Sequence, residues 1–362
     1  MPPLLIASDK TLLIDSVKII KRFFEVFPAF LLGEMPARKR LSEAYIFPIP
    51  TTTLLSIINV FIFFDFPIAD LNNDGLKDIL FTANQKPNKL YVNTGDLKFI
   101  DVTDSSNINQ NKRWSSGVTF ADVNADGWLD IYISQGGPYE KEKRSNILLI
   151  NNKDLTFSDE TIKYGLDDMG ISTQSAFFDF DKDGDLDCIV MNENDYYGYD
   201  PLSFFKKFEN KTLLEQNSSH LYEQIDGKFV NITEKAGLLS PTFGLGLCVS
   251  DINNDGWLDI YIANDYYVKD GMYINNKDGT FSNKIKESTK QISFYGMGVD
   301  IEDINGDNLS DIFVLDMASS DHVRSKTLMA SMNTSNFDLI TNKLDQHYQY
   351  MFNSLQLNMG ND

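Results

Sequence analysis

The chain has 362 residues, 42% of them hydrophobic and 12% aromatic, and a formal net charge of −20. This composition is enough for a large core or more than one domain, and it argues against disorder. The negative charge and the absence of a basic stripe make nucleic acid a poor partner. Two cysteines cannot form a disulfide framework, so we expect buried thiols at Cys188 and Cys248.

Residues 1–60 differ from the rest of the chain. Thr11 to Val26 has the apolar spacing of a helix, which Pro28 ends. Leu54 to Phe64 is nearly all apolar but too short to span a bilayer, so we predict no membrane span. It fits either a signal-peptide core or the first buried strand, and we favour the strand. We therefore describe 1–60 as a poorly defined, partly helical N-terminal segment.

A nine-residue loop organises the remainder of the chain. Between Asp122 and Asp130 it places oxygen side chains at positions one, three, five and nine, with Gly127 at position six for the sharp turn. Ca²⁺ binds six to eight oxygens, and the carbonyl at position seven could add another. The candidate ligands here are Asp122, Asn124, Asp126, Trp128 and Asp130.

The loop recurs four more times, and the repetition makes a metal site a stronger interpretation than an ordinary Asp-Asn-Gly turn. We predict up to five Ca²⁺ ions, which would neutralise half of the net charge. The second and fourth loops have the full pattern, the third is the most acidic, and the fifth has Asn308 at position six and should be the most distorted. The other candidate ligands are Asp70, Asn72, Asp74, Leu76 and Asp78; Asp179, Asp181, Asp183, Asp185 and Asp187; Asp251, Asn253, Asp255, Trp257 and Asp259; and Asp303, Asn305, Asp307, Leu309 and Asp311.

These loops are not EF-hands, because an EF-hand carries Glu at position twelve between two helices. Here position twelve is apolar, as at Ile133, and each loop leads into a short β-branched or aromatic stretch such as Ile131-Tyr132-Ile133. A stretch of this kind without polar alternation predicts a strand buried on both faces.

The loops begin at residues 70, 122, 179, 251 and 303, a spacing typical of propeller blades. A hairpin element follows each loop, as in 88–99, 146–157, 220–229 and 271–281. We therefore predict an all-β fold over 61–362, a β-propeller of about five four-stranded blades with calcium-binding loops. Residues 353–362 restart the hairpin element, so we expect a truncated last blade, an incomplete propeller and self-association through its uncovered faces.

Two insertions interrupt the period. Residues 196–219 carry Phe204, Phe205 and Phe208 among lysines, which predicts either a surface excursion packed on its own blade or a partner-binding loop. Residues 317–345 have helical character. The runs 194–197 and 264–267, both Asn-Asp-Tyr-Tyr, should lie on one rim, where the tyrosines either stack on a sugar or plug the space between blades.

These motifs resemble the FG-GAP/VCBS repeat family, whose blades build β-propellers such as that of integrin α subunits. The likeness covers about 61–362 and looks closest to bacterial ASPIC/UnbV-type VCBS-repeat proteins, through the runs 263–266, 296–300 and 350–358. The resemblance implies an extracytoplasmic, calcium-stabilised propeller at the cell surface or secreted, used for adhesion or ligand binding, with further domains of a longer chain as neighbours.

The sequence favours a non-catalytic calcium-binding propeller that binds a protein or glycan ligand. The alternative is a polysaccharide-acting lyase or hydrolase, which needs an acid and a base outside the metal loops. No nucleophile motif, phosphate loop or transition-metal ligand set is visible, so we predict no catalytic residues and leave the enzyme question open.

Overall fold

In a computed structural model of the protein, the described residues are 67–84, 86–108, 113–138, 140–196, 198–317 and 334–360. They form four antiparallel sheets of four strands each and a fifth sheet of three, every sheet following chain order. The predicted all-β class with four-stranded units is confirmed. The N-terminal segment 1–60 and most of the second insertion lie outside the described residues.

Each sheet comprises consecutive strands, and short helices lie between some of them. The strands are Ile68–Ala69, Asp78–Phe81, Lys89–Asn93 and Phe99–Asp101; Ser115–Ala121, Asp130–Gln135, Ile147–Asn151 and Phe157–Asp159; Ile171–Phe178, Asp187–Glu193, His220–Ile225 and Lys228–Asn231; Gly244–Ser250, Asp259–Asn264, Gly271–Asn275 and Phe281–Asn283; and Gly296–Glu302, Asp311–Asp316 and Ser354–Gln356. Ile292–Ser293 and Gln349–Tyr350 form a separate parallel pair. The helices are Thr161–Tyr164, Pro201–Lys207, Lys211–Gln216, Ile285–Ser288 and Thr334–Asp338, the last continued by a π-helical turn at Leu339–Lys343.

The hydrophobic core lies between consecutive sheets, because the second strand of a sheet is buried on both faces. In the second sheet, Ile131 and Ile133 pack with Leu80 of the first sheet. Tyr132, between them, points the other way and packs with Val190 and Cys188 of the third. This is the predicted two-faced burial. Cys188 is buried as expected, whereas Cys248 is half-buried, and both are free thiols.

The first strands of neighbouring sheets approach closely and exchange hydrogen bonds. The Thr119 hydroxyl donates to the Ser175 carbonyl at 2.8 Å, and that of Thr173 donates to the Gly244 carbonyl at 2.8 Å. At Gly117 a Cβ atom would lie 2.4 Å from the Thr173 carbonyl oxygen, so only glycine allows this approach. Consecutive sheets are therefore tied together along their first strands as well as through their cores.

The first insertion packs on the rim of the fourth sheet as well as on its own blade, where the Ser218 carbonyl accepts from Asn192 Nδ2 at 3.0 Å. Phe204, on helix Pro201–Lys207, is fully buried. Its ring stacks on Phe243 at 5.1 Å and meets Tyr267 edge-on at 5.1 Å. Tyr196 and Tyr266 pack against the same cluster, so these rim tyrosines fill the space between sheets, as the plug interpretation predicts. The insertion lies there because its aromatic side chains are buried against the fourth sheet.

The fifth sheet exposes apolar side chains. Leu315 and Leu355, on adjacent strands, are 49% and 48% exposed, and Met297 is 41% exposed. The corresponding second strand of the second sheet, Asp130–Gln135, is buried throughout.

Within the described residues, no helix combines the length and apolar character needed to cross a bilayer.

An ion pair joins His220 of the third sheet to the buried Asp168, which precedes that sheet. His220 Nδ1 donates to Asp168 Oδ2, and Nε2 donates to the Glu215 carbonyl at 2.8 Å. The Tyr222 hydroxyl also donates to Asp168, at 2.8 Å. Burial alone would lower the pKa of His220 and Lys141 opposes its charge, but Asp168 raises that pKa to about 8. Burial alone would raise the pKa of Asp168, yet His220 holds it below its usual value.

We predict that stability falls as the pH rises through this pair. Folding raises the His220 pKa above its unfolded value, so the ion pair contributes fully below pH 6.5 and its contribution is lost as pH rises through about 8. Urea unfolding at pH 6 and pH 9 should give wild type a loss on the order of 1–2 kcal/mol larger than that of His220→Gln. His347→Gln is the matched control, because burial lowers the pKa of His347, so that folding opposes its protonation instead of favouring it. Equal pH slopes in wild type and His220→Gln would contradict the assignment.

Candidate metal centre

Each of the five predicted loops connects the first strand of a sheet to the second and folds around the carboxylate at position one. In the second loop, the two oxygens of Asp122 accept from Asp126 N at 2.9 Å and Gly127 N at 2.8 Å. Asn124 Oδ1 accepts from Asp126 N at 3.0 Å, and Asp126 Oδ1 accepts from Trp128 N at 3.0 Å. The alternating oxygen residues therefore build the turn and bring their side chains to its inner side.

In every loop the residues at positions four and six adopt the left-handed backbone conformation. In the second loop these are Ala125, with φ 55°, and Gly127, with φ 86°. In the fifth loop the glycine stands at position four, as Gly306 with φ 82°, and Asn308 takes position six with φ 66°. The predicted distortion of the fifth loop is not seen, because each loop needs glycine at only one of its two left-handed positions.

The aspartate at position nine is buried in all five loops, where it joins the loop to the hairpin of the same sheet. Asp130 Oδ2 accepts from Val123 N at 3.1 Å, and its Oδ1 accepts from Asn151 N at 2.8 Å. Burial raises its pKa to about 6 and that of Asp187 to about 7, against the lowering effect of these backbone hydrogen bonds. The five residues are Asp78, Asp130, Asp187, Asp259 and Asp311.

The third loop brings three carboxylates together. Oxygens of Asp179, Asp181 and Asp187 all lie within 4.8 Å of one another, the one such acidic group found in the described part of the chain. Asp179 Oδ1 and Asp185 Oδ1 are buried without a hydrogen-bond partner. Burial and the neighbouring carboxylates raise the pKa of Asp181. An oxygen-rich, electrostatically repulsive set with unpaired buried oxygens is the donor set that Ca²⁺ fits.

In the second and fourth loops a lysine forms an ion pair with the carboxylate at position five. Lys153 Nζ lies 3.2 Å from Asp126 Oδ2, and Lys277 Nζ lies 3.2 Å from Asp255 Oδ2. Both lysines lie in the turn of the hairpin that follows the loop. Because they are outside the loop in sequence, the loop pattern alone did not indicate that they reach the site. A cation in these two loops competes with an ammonium group, whereas in the third loop it meets uncompensated charge.

The hairpin also supplies an asparagine that links neighbouring sheets, and sequence reasoning missed it. Asn151 Nδ2 donates to the carbonyl of Leu71 in the first loop at 2.9 Å and to that of Leu129 at 3.1 Å. Asn275 reaches Phe180 of the third loop at 2.8 Å in the same way. The signal was available, because asparagine recurs at this point of four hairpins: Asn93, Asn151, Asn275 and Asn358.

We predict that Asn151→Ala destabilises the protein by about 2 kcal/mol, because two carbonyls lose their buried donor. Asn152→Ala, the exposed neighbour in the same turn, is the matched control and should change stability by less than about 0.5 kcal/mol. Chemical unfolding of both variants measures the difference. Equal losses would show that the bridge to the first loop adds nothing to stability.

Comparison with known proteins identifies the repeat. A family model described as FG-GAP-like repeat matches residues 70–133 and 251–314, each match running from the start of one loop through the next loop and into the strand after it. Cartilage acidic protein 1 from Xenopus tropicalis is 25% identical over 201 residues, covering 54% of this chain and 28% of the relative. A T-cell immunomodulatory protein homolog from Plasmodium falciparum is 24% identical over 236 residues, covering 54% and 32%. The chain thus spans less than a third of the length of these relatives.

Among solved structures, the chain is similar to an Agrocybe aegerita lectin that recognises non-reducing terminal N-acetylglucosamine. The sequence identity is 18% and the TM-score 0.42, and the match covers 70% of this chain and 61% of the lectin chain. Likeness at this level has no bearing on function.

Proposed function

From the FG-GAP-like repeats that this chain carries at residues 70–133 and 251–314, we propose that it is a calcium-binding, β-propeller-type module that binds a ligand and has no catalytic activity of its own. The ligand is a protein or a glycan, and the module acts in adhesion or recognition outside the cytoplasm, at the cell surface or after secretion. Extracellular modules with this ligand chemistry bind calcium at about 0.1–1 mM, which favours such a location.

The third loop carries the calcium proposal. Asp179, Asp181 and Asp187 would hold the ion, because their oxygens already lie within 4.8 Å of one another. Asp183 and Asp185 would lie beside it, and the buried Oδ1 atoms of Asp179 and Asp185 lack a hydrogen-bond partner. The ion would supply the positive charge that this set lacks. The four other loops would bind with the same ligand pattern, the second and fourth after displacement of Lys153 and Lys277.

Calcium should stabilise the folded chain. A site with a dissociation constant of about 0.1 mM gains about 1.8 kcal/mol in about 2 mM calcium. Thermal unfolding in calcium should therefore occur several degrees above that in EGTA. Superimposable curves would contradict the metal proposal.

Asp181→Asn separates metal binding from ordinary loop stability. In EGTA this variant should be as stable as wild type or more stable by about 0.5 kcal/mol, because it removes repulsion among the three carboxylates. In calcium it should be less stable than wild type, because the ion loses a charged ligand. Asp104→Asn makes the same charge change at an exposed turn and should show no such reversal. A loss of equal size in both buffers would mean a structural role only.

Ligand binding should be found without turnover. We expect a glycan and protein-ligand screen, run with the full chain in calcium and in EGTA, to give ligands whose binding weakens in EGTA. The polysaccharide-acting alternative predicts instead new reducing ends or unsaturated products on incubation with a bound polysaccharide. Such products from the purified chain would replace the binding proposal with the enzymatic one.

A further inference from the structure

A cavity of about 890 Å³ lies at the edge of the sheets opposite the loops. It opens where the first strands of the second and third sheets begin, at Ser116 and Ser172, and where the second strands end, at Gly136 and Glu193. Leu245 of the fourth sheet closes one side. The volume is that of a ligand pocket rather than of a packing defect. None of the predicted calcium ligands lines it.

Two buried hydrogen-bond donors in the cavity wall lack partners. Arg144 has a side chain only 8% exposed, and two of its nitrogens hold Asp195 at 2.8 Å and 3.3 Å. Its third nitrogen, Nε, is buried and has no partner. Asn194 is fully buried, and its Oδ1 accepts from Tyr196 N at 2.9 Å, whereas its Nδ2 has no partner. Unpaired buried donors cost free energy, so a bound acceptor at this place would be stabilising.

The wall also provides an aromatic surface. Trp114 lines the cavity and its ring lies against Gly137, where a Cβ atom would come within 2.4 Å of Trp114 Cδ2. Gly136 N donates to the Trp114 carbonyl at 2.9 Å, and this hydrogen bond holds the Trp114 backbone in place. An indole face has negative potential and attracts the polarised C–H bonds of a flat, partly apolar ligand.

The charges restrict the ligand further. The carboxylates of Glu193 and Asp195 line the cavity beside the two donors. They repel an anion, because the one guanidinium in the wall, that of Arg144, is already paired with Asp195. The ligand that fits carries no anionic group, accepts hydrogen bonds from Arg144 and Asn194, donates hydroxyl protons to carboxylates, and has one C–H face for Trp114.

We propose that this cavity binds a neutral pyranose unit of a saccharide. The assignment rests on the proposed ligand-binding function and names its ligand class. Arg144 Nε and Asn194 Nδ2 donate to ring hydroxyl oxygens, Trp114 carries the C–H face, and the Arg144–Asp195 pair holds the guanidinium in position.

The test is titration calorimetry of the full chain with a panel of single sugars. Neutral probes are D-glucose, D-galactose, D-mannose, L-rhamnose and cellobiose, with D-glucuronate and D-glucosamine as the charged counterparts of glucose. We expect at least one neutral sugar to bind and D-glucuronate to bind at least tenfold more weakly, because the carboxylates of the wall repel its charge. Binding of glucuronate or glucosamine alone would overturn the ligand class, and binding of no probe would overturn the site.

Two conservative variants locate the binding. Asn194→Asp keeps the acceptor for Tyr196 N and removes the unpaired donor, and Arg144→Lys keeps the charge beside Asp195 and removes Nε. Each should weaken the neutral sugar at least tenfold. Asn210→Asp, the same change at an exposed helix cap, should leave it unchanged. Equal affinity in all four proteins would place the sugar elsewhere.

The calcium proposal and the saccharide proposal fail separately. Melting in calcium and in EGTA is recorded on the same Asn194→Asp and Arg144→Lys proteins, whose loops are intact. A calcium shift without sugar binding would overturn only the cavity assignment. If the wild type binds the sugar and the variants do not, but melting is the same in calcium and in EGTA, only the metal proposal would be overturned.

Discussion

The buried aspartate at position nine constrains the structure more than any other residue of the repeat. A carboxylate without water must receive hydrogen bonds, and here one oxygen accepts from the loop and the other from the hairpin. In the fourth sheet, Asp259 accepts from Ile252 N at 2.9 Å and from Asn275 N at 2.8 Å. One side chain therefore fixes the loop, the start of the second strand and the register of the third strand together. Removal of this carboxylate would leave two buried amides unpaired.

That constraint explains why sheets of such short strands pack in series. A four-stranded sheet with strands of two to eight residues buries too little apolar surface by itself to be stable. The second strands of the second, third and fourth sheets therefore contribute alternate residues to two cores, such as Tyr261 to one interface and Ile262 to the other. The asparagine bridge adds a polar connection at the same interface, since Asn275 spans from the fourth sheet to Phe180 of the third loop. Stability is thus shared between neighbours, as in other repeat proteins.

The sequence was sufficient for features that depend on local spacing. The left-handed turn at position six, the spacing of the loop oxygens and the two-faced strands follow from residues within about ten positions, and these were predicted. The left-handed residue at position four, such as Ala125, was not. Apart from the rim tyrosines, specific contacts between repeats were not predicted, because they depend on how adjacent sheets meet. Lys153 reaches Asp126 only after the hairpin folds back, and Phe204 packs on Phe243 of the next sheet. The undistorted fifth loop was missed because the interpretation considered Asn308 without Gly306.

The two proposed sites occupy opposite ends of the same strands. In the third sheet, strand Ile171–Phe178 begins at the cavity and ends at Asp179 of the acidic loop, a separation of roughly 20–25 Å along an extended strand. A calcium ion at the loop removes repulsion locally and makes no contact with a ligand in the cavity. It can influence that ligand only by reducing the fraction of molecules in which the third sheet opens. Because first strands of adjacent sheets are tied by side-chain hydrogen bonds, such opening would disturb the cavity wall from two sides. In these two proposals the loops would therefore serve recognition through the rigidity of the strands that connect them to the cavity.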